Sequence, residues 1–169
     1  IPMLQDLEYG RLENEYRPTT PRGDDYALCF RGQDVLLCRG ADDTLFLPTV
    51  AQVQSWWGQR EGHYLFRLHG AGFYLFPGKS GDAPAPYTYE RARALRQNVS
   101  REVCYAVLTG WHLFCWYRDN RFCGRCGAQT VHDDAQRALR CPDCGNLIFP
   151  RINPVVIVAV TDADRLLLS

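Results

Sequence analysis

Two cysteine pairs in the last third of the sequence constrain its fold most strongly. Each pair follows the pattern C-x-x-C-G, and fourteen residues separate the two: Cys123, Cys126 and Gly127, then Cys141, Cys144 and Gly145. Two intervening residues let one tight turn present both sulfurs to a single ion, and glycine accepts the positive φ that such a turn needs. The spacing therefore predicts a zinc ribbon that holds one structural zinc ion with four thiolates.

Three other uses of these cysteines compete with zinc. A redox-active dithiol does not require a second pair at ribbon spacing, and two disulfides are unexpected in a reducing compartment. Iron in a rubredoxin-like site stays open, because thiolates accept both metals. His132 lies between the pairs, but four cysteines already complete the shell, so we predict a surface residue there.

The remaining cysteines and histidines have no ligand-like spacing. The cysteines lie in apolar stretches, where a free thiol packs as a small hydrophobe. The histidines have no nucleophile or carboxylate partner that the sequence reveals. We therefore assign a structural role to Cys29, Cys38, Cys104, Cys115, His63, His69 and His112.

Composition narrows the classes of partner. The chain has 19 basic and 19 acidic residues, so no net charge attracts nucleic acid or a membrane surface. No apolar run approaches the roughly 18 residues that span a bilayer. The N-terminus lacks a signal-peptide pattern, and the cysteine pairs favour metal in a reducing compartment, so we expect a cytoplasmic protein without a membrane partner.

The pattern of apolar runs predicts an α+β chain with an antiparallel sheet in its N-terminal part. We expect a β-rich domain at 1–99, a connecting helix at 100–120, the ribbon at 121–149, and strands of a further domain at 150–169. Within the first domain, Gly32-Gln33-Asp34 predicts a hairpin turn and Gly70 another.

Helix and strand signals complete this outline. Thr88 is placed to cap a helix that runs to about Gln97, and Ser100 a second that runs to about Arg118. After the ribbon, the β-branched run 155–160 predicts a strand, turned at 162–164 into a partner that starts at Arg165. Because that partner stops after four residues, we expect the chain to be the front part of a longer protein.

The residues around the cysteines resemble a known family, the NADH pyrophosphatases, which are Nudix hydrolases that also remove NAD caps from RNA. The resemblance covers about residues 106–168 and rests on three runs: 116–127 (WYRDNRFCGRCG), 141–145 (CPDCG) and 149–157 (FPRINPVVI).

The resemblance implies an N-terminal domain, a zinc ribbon and a Nudix domain, usually in a homodimer. It implies substrate contacts by Phe149, which would stack on a base, by Arg96, and at the position of Gln136, where relatives often carry an acidic residue. From its own chemistry, Phe149 is equally suited to packing the ribbon against the next strand.

One part of the family pattern is missing. Nudix hydrolysis of a dinucleotide pyrophosphate needs glutamates that hold Mg²⁺ or Mn²⁺. Arg101-Glu102-Val103 begins like the Nudix signature, but no glutamate follows Glu102 anywhere. We therefore expect a parent protein that cleaves NADH, NAD or an NAD cap, and a chain that is inactive alone. The rival functions are a zinc-ribbon module that binds nucleic acid or protein without catalysis, and a rubredoxin-like electron carrier.

Overall fold

The computed structural model describes residues 12–77, 83–97, 100–156, 158–162 and 164–166. Within these ranges the strands are Leu12–Glu13 (β1), Tyr26–Arg31 (β2), Asp34–Arg39 (β3), Leu45–Phe46 (β4), His63–Leu68 (β5), Ala71–Pro77 (β6), Tyr87–Arg91 (β7), Val131–His132 (β8), Leu139–Arg140 (β9), Leu147–Ile148 (β10), Thr161–Asp162 (β11) and Arg165–Leu166 (β12). The helices are Val50–Trp57 (α1) and Arg101–Asp119 (α2), with a 3₁₀ helix at Ala92–Gln97. The predicted α+β class is confirmed, whereas the domain boundaries stay a prediction.

Seven strands form one sheet in the N-terminal part of the chain. Its order is β1-β5-β6-β2-β3-β4, and β7 also pairs with β3. The two predicted hairpins, β2–β3 and β5–β6, are present and antiparallel. They meet through one parallel pair, β2 with β6, which local sequence patterns do not predict. His69 and Gly70 both have positive φ, as a tight turn between β5 and β6 requires.

Two helices cover opposite faces of this sheet. Alternate residues of β2 separate accordingly: Ala27 and Cys29 pack with α1, and Leu28 and Phe30 pack with α2. Burial raises the pKa of the Cys29 thiol to about 12, so this cysteine is a neutral packing residue. Its predicted structural role thus agrees with its position in the core.

Helix α1 lies among strands, but its start has a sequence signal of its own. Thr49 accepts a hydrogen bond from the backbone N–H of Gln52, and the Gln52 side chain accepts one from the Thr49 N–H. This reciprocal pair is a capping box, and its pattern T-x-x-Q is visible in the sequence.

Two local predictions are wrong. The helix expected from Thr88 is instead strand β7, because residues 87–91 pair with β3, and only 92–97 are helical, in 3₁₀ form. The strand expected at 155–160 is absent from the described residues there, and only the hairpin β11–β12 forms. The side chains of 152–160 that the structure describes are exposed, so this run has no sheet to pack against.

Helix α2 crosses the sheet at very close range. It extends over the predicted residues and slightly beyond, and Gly110 at its middle is buried. A Cβ added at Gly110 would lie 2.3 Å from Cδ1 of Leu28, which is itself fully buried. The glycine that weakens helix propensity is therefore the residue that permits this contact.

We expect Gly110→Ala to destabilise the protein by about 1–2 kcal/mol, because overpacking costs about 1–3 kcal/mol and exceeds the helix-propensity gain of up to about 1 kcal/mol. Urea unfolding followed by circular dichroism measures the change. In a Leu28→Ala background the same substitution should cost nothing, because the clashing methyl group is gone. An equal cost in both backgrounds would show that the helix does not approach the sheet at this point.

Candidate metal centre

The two cysteine pairs fold into nearly identical turns. In the first, the Cys123 N–H donates to Ala128 O at 2.8 Å and the Gly127 N–H to Cys123 O at 2.8 Å. In the second, the Cys141 N–H donates to Asn146 O at 2.9 Å and the Gly145 N–H to Cys141 O at 3.0 Å. Gly127 has φ 81° and Gly145 has φ 70°. Both glycines thus adopt the positive φ that the tight turns were predicted to need.

The strands between the turns bring all four sulfurs together. Strand β9 lies between β8 and β10 in a three-stranded antiparallel sheet. The Sγ atoms of Cys123, Cys126, Cys141 and Cys144 all lie within 4.8 Å of one another. The Sγ atoms of Cys126 and Cys141 lie 3.3 Å apart and those of Cys123 and Cys144 lie 3.6 Å apart. Both distances are close to the roughly 3.8 Å that a tetrahedral site with Zn–S bonds of about 2.3 Å requires.

The electrostatics of the cluster favour a cation. The N–H groups of Arg125 and Cys126 lower the pKa of the Cys123 thiol to about 6. At Cys126 the Ala128 N–H lowers the pKa, but the neighbouring sulfurs of Cys141 and Cys144 raise it, to a net value of about 12. The neighbouring sulfurs therefore disfavour four thiolates together, and a bound cation would relieve this repulsion. The donor set fits zinc, and with four protein ligands no coordination position stays open for a catalytic water.

Asp133 organises the loop between β8 and β9. Its buried carboxylate accepts hydrogen bonds from the backbone N–H groups of Ala135 at 3.0 Å and Gln136 at 3.1 Å. Its second oxygen accepts from Nε of Arg140 at 2.9 Å, and this arginine holds the pKa of Asp133 below its usual range. The loop that carries Gln136 and Arg137 is thus fixed by one aspartate.

The ribbon lies against the N-terminal sheet. Leu139 is buried in the core cluster under α2, and Ile148 packs against that cluster. Nη2 of Arg137 donates to Asn14 O at 3.0 Å, and its guanidinium lies 5.7 Å from the Tyr16 ring centroid.

Aromatic rings extend this contact. The rings of His63 in β5 and His132 in β8 are stacked, with centroids 4.2 Å apart. The Tyr117 ring of α2 lies 4.8 Å from that of His132. We call the contact made by Tyr16, His63, Tyr117, His132 and Arg137 the ribbon interface. The sequence assigned His63 and His132 separately to a strand and to the surface, and no local signal links them.

The three predicted substrate residues lie in different settings. Phe149 directly follows β10 and is 49% exposed. Because Ile148 pairs with Leu139, Phe149 and Gln136 lie at the same end of the ribbon sheet. Arg96 belongs to the 3₁₀ helix 92–97, and its side chain lies outside the described part of the structure. Their roles in substrate binding stay predictions.

In the described residues, no helix is both long enough and apolar enough to cross a membrane.

Comparison with known proteins bears directly on the ribbon. Residues 118–149 match the family model described as the NADH pyrophosphatase zinc ribbon domain. This segment contains all four cysteines, so the match and the sulfur cluster together support a structural zinc ion. The fold and the site thus define a protein with a four-cysteine zinc ribbon.

Curated relatives extend the similarity beyond the ribbon. The chain is 43% identical over 107 residues to the NAD-capped RNA hydrolase NudC of Pseudomonas fluorescens (strain Pf0-1), covering 63% of this chain and 39% of the relative. It is 37% identical over 95 residues to NudC of Stutzerimonas stutzeri (strain A1501), which covers 52% of this chain and 33% of the relative. It is 46% identical over 54 residues to NudC of Pseudomonas aeruginosa (strain LESB58), which covers 32% of this chain and 19% of the relative.

The chain spans between about a fifth and two fifths of the length of these relatives. Together with the ribbon match, they show a chain that is similar to NADH pyrophosphatases in its ribbon and to NAD-capped RNA hydrolases around it.

The purified chain should contain one zinc ion, and Cys141→Ser should lose it, because three thiolates hold zinc far more weakly than a closed shell of four. Metal analysis by mass spectrometry measures the content. Cys38→Ser is the matched control, since this thiol lies outside the cluster and should leave zinc unchanged. Iron in the purified protein, or full zinc retention in the Cys141 variant, would contradict the assignment.

Proposed function

We propose that this chain is the N-terminal and zinc-ribbon part of an NADH/NAD⁺ diphosphatase that also removes NAD caps from RNA. The observation that carries the proposal is the match of residues 118–149 to the ribbon of NADH pyrophosphatases. Relatives that share the ribbon and flanking residues are NAD-capped RNA hydrolases, which agrees with a dinucleotide pyrophosphate as the substrate.

The proposed reaction is attack of water on the pyrophosphate, which breaks one P–O–P bond and yields two mononucleotides. Mg²⁺ or Mn²⁺ would neutralise the phosphate charge and activate the water, and glutamates would hold the ions. The sequence contains no glutamate after Glu102. We therefore assign the divalent-metal site to a Nudix domain of the parent protein and expect these 169 residues alone to be inactive.

The ribbon's part in this function would be positional. A closed four-thiolate shell supplies no reactive water. It does hold Phe149 and the Gln136 loop at one end of a rigid three-stranded sheet. An exposed phenyl ring there offers a flat face on which a base of the substrate can stack, with Gln136 beside it and Arg96 as a further contact.

Two further properties belong to the proposal. No disulfide joins any of the eight cysteines, which supports a protein of the reducing cytoplasm. The family resemblance also implies a homodimer, which sedimentation analysis of the parent protein would detect.

The isolated chain should not hydrolyse NADH even with excess Mn²⁺, because it lacks the glutamate cluster. A coupled assay for the mononucleotide products measures turnover, and the longer protein that contains this chain serves as the active control. Clear turnover by the 169 residues alone, or a longer protein inactive on NADH and on NAD-capped RNA, would contradict the proposal.

In the longer protein, Phe149→Ala should lower kcat/KM for NADH by about 5- to 150-fold, because stacking of one base on an aromatic ring contributes about 1–3 kcal/mol. Phe122→Ala is the matched control, since Phe122 is also an exposed phenylalanine of the ribbon, at 60%. An equal effect of both substitutions would indicate that Phe149 acts only by packing.

The alternative is a ribbon module that binds nucleic acid or protein without catalysis. The observation in its favour is the exposure of Phe122 and Phe149 beside the charged residues Arg125 and Arg151. RNA binding by the isolated chain that weakens steeply with salt, in a parent protein that cleaves no pyrophosphate, would support the alternative.

A further inference from the structure

The ribbon interface contains two titratable rings that belong to different parts of the fold. His63 begins β5 of the N-terminal sheet, and His132 ends β8 of the ribbon. Their rings are stacked at a centroid distance of 4.2 Å and an interplanar angle of 21°. Tyr117 of α2 flanks both, at 6.2 Å from His63 and 4.8 Å from His132.

The groups around this pair offer little compensation for a positive charge. Glu61 is the acidic group whose charge raises the pKa of His63. Burial lowers this pKa by more, so the net shift is downward. The nearby carboxylate of Asp133 is already engaged by Arg140. The interface also contains the cation Arg137 and the phenols of Tyr16 and Tyr117. Outside it, Tyr64 acts on Arg137 and Asp134 acts on Tyr16.

Both histidines resist protonation in this arrangement. Partial burial lowers the pKa of His63, and burial together with the charge of His63 lowers that of His132 to about 4. His63 and His132 are both exposed residues, so solvent reduces the effect of partial burial on their pKa values. The proximity of two like charges remains, because protonation of both rings places them face to face.

We infer that the stacked pair of His63 and His132 makes the contact between the zinc ribbon and the N-terminal sheet sensitive to acid. With both rings neutral the stack holds the ribbon in place. With protons on both rings the stack repels, and the contact between β8 and β5 opens. Leu139 and Ile148 stay packed under α2, and the metal-bound fold of the ribbon persists. The contact thereby controls the position of the Asp133 loop, which carries Gln136 and Arg137.

The direction of the pH dependence follows from linkage. A histidine that binds protons more weakly in the closed interface than in the open one stabilises the closed form fully above its ordinary pKa of about 6.5. That stabilisation is lost progressively as the pH falls below 6.5, down to the pKa of the closed form. Between pH 7.5 and 5.0 one such histidine shifts the equilibrium by up to about 30-fold.

The test is NMR on the zinc-loaded chain. Titration of the ring protons should give pKa values below 6.5 for both His63 and His132. Opening is measured by hydrogen exchange of the Arg137 guanidinium, which is bonded to Asn14, relative to that of exposed Arg125. The protection of Arg137 should fall by about 5- to 30-fold between pH 7.5 and 5.0, with exposure of the rings setting the lower bound.

Variants separate the histidine pair from other acid effects. His132→Phe keeps a flat ring but takes no proton, so it removes the repulsion between two charged rings and should reduce the pH dependence. His63, whose pKa is lowered by burial, keeps its own smaller part. His112→Phe is the matched control, because His112 is exposed on α2 and lies outside the interface. It should behave like the unmodified chain.

Three results would overturn the inference. The first is a pKa at or above 6.5 for both histidines. The second is an equal pH dependence in the unmodified chain and in His132→Phe. The third is loss of protection at the N–H groups of Cys123 and Cys141 in step with Arg137, because metal loss would then account for the opening.

Discussion

The close contact between helix α2 and the sheet at Gly110 and Leu28 determines where the ribbon lies. Because no Cβ separates the helix from the sheet there, α2 has little freedom to tilt or slide. The end of α2 is joined to the ribbon directly: the Asn120 side chain donates to Trp116 O at 2.7 Å, and Thr130 Oγ1 donates to Asn120 O at 2.8 Å. The first metal ligand follows three residues later and is therefore placed by the helix.

The ribbon itself is too small to be stable through a core of its own. Its three strands have two residues each, and a sheet of that size needs a metal or a packing surface. It has both. The sulfur cluster closes one end, and Leu139 and Ile148 enter the core under α2 at the other. Burial of these two side chains explains why the ribbon has a fixed orientation relative to α2.

The run after the ribbon shows the opposite case, in which strand-forming residues have no surface to pack on among the described residues. Val155 and Val156 are β-branched, like Val35 of β3. They are nevertheless 87% and 79% exposed, and no strand pairs with them among the described residues. β-Branched residues favour a strand chiefly because they pack on a pleated neighbour. Under the proposed function, a Nudix domain of the parent protein would supply such a neighbour.

The features that the sequence predicted are those set by short-range chemistry. The cysteine pairs determine their own turns through the N–H groups of the following residues, and the hairpin turn at His69-Gly70 needs only two residues of positive φ. The parallel pairing of β2 with β6 and the strand at 87–91 depend on partners far away in the chain, which override local helix signals.

The ribbon interface also depends on residues that lie far apart in the chain. His63 and His132 are 69 positions apart and each has an ordinary local reading, so their stacking emerges only when α2 sets the ribbon beside β5. The same holds for Arg137, whose Nη1 is buried without a hydrogen-bond partner among the described residues. A buried guanidinium with an unmet donor is costly, and three surrounding tyrosine rings offset this only in part. An interface built this way is held by the metal and the core on either side of it, and therefore it can respond to pH without the loss of either.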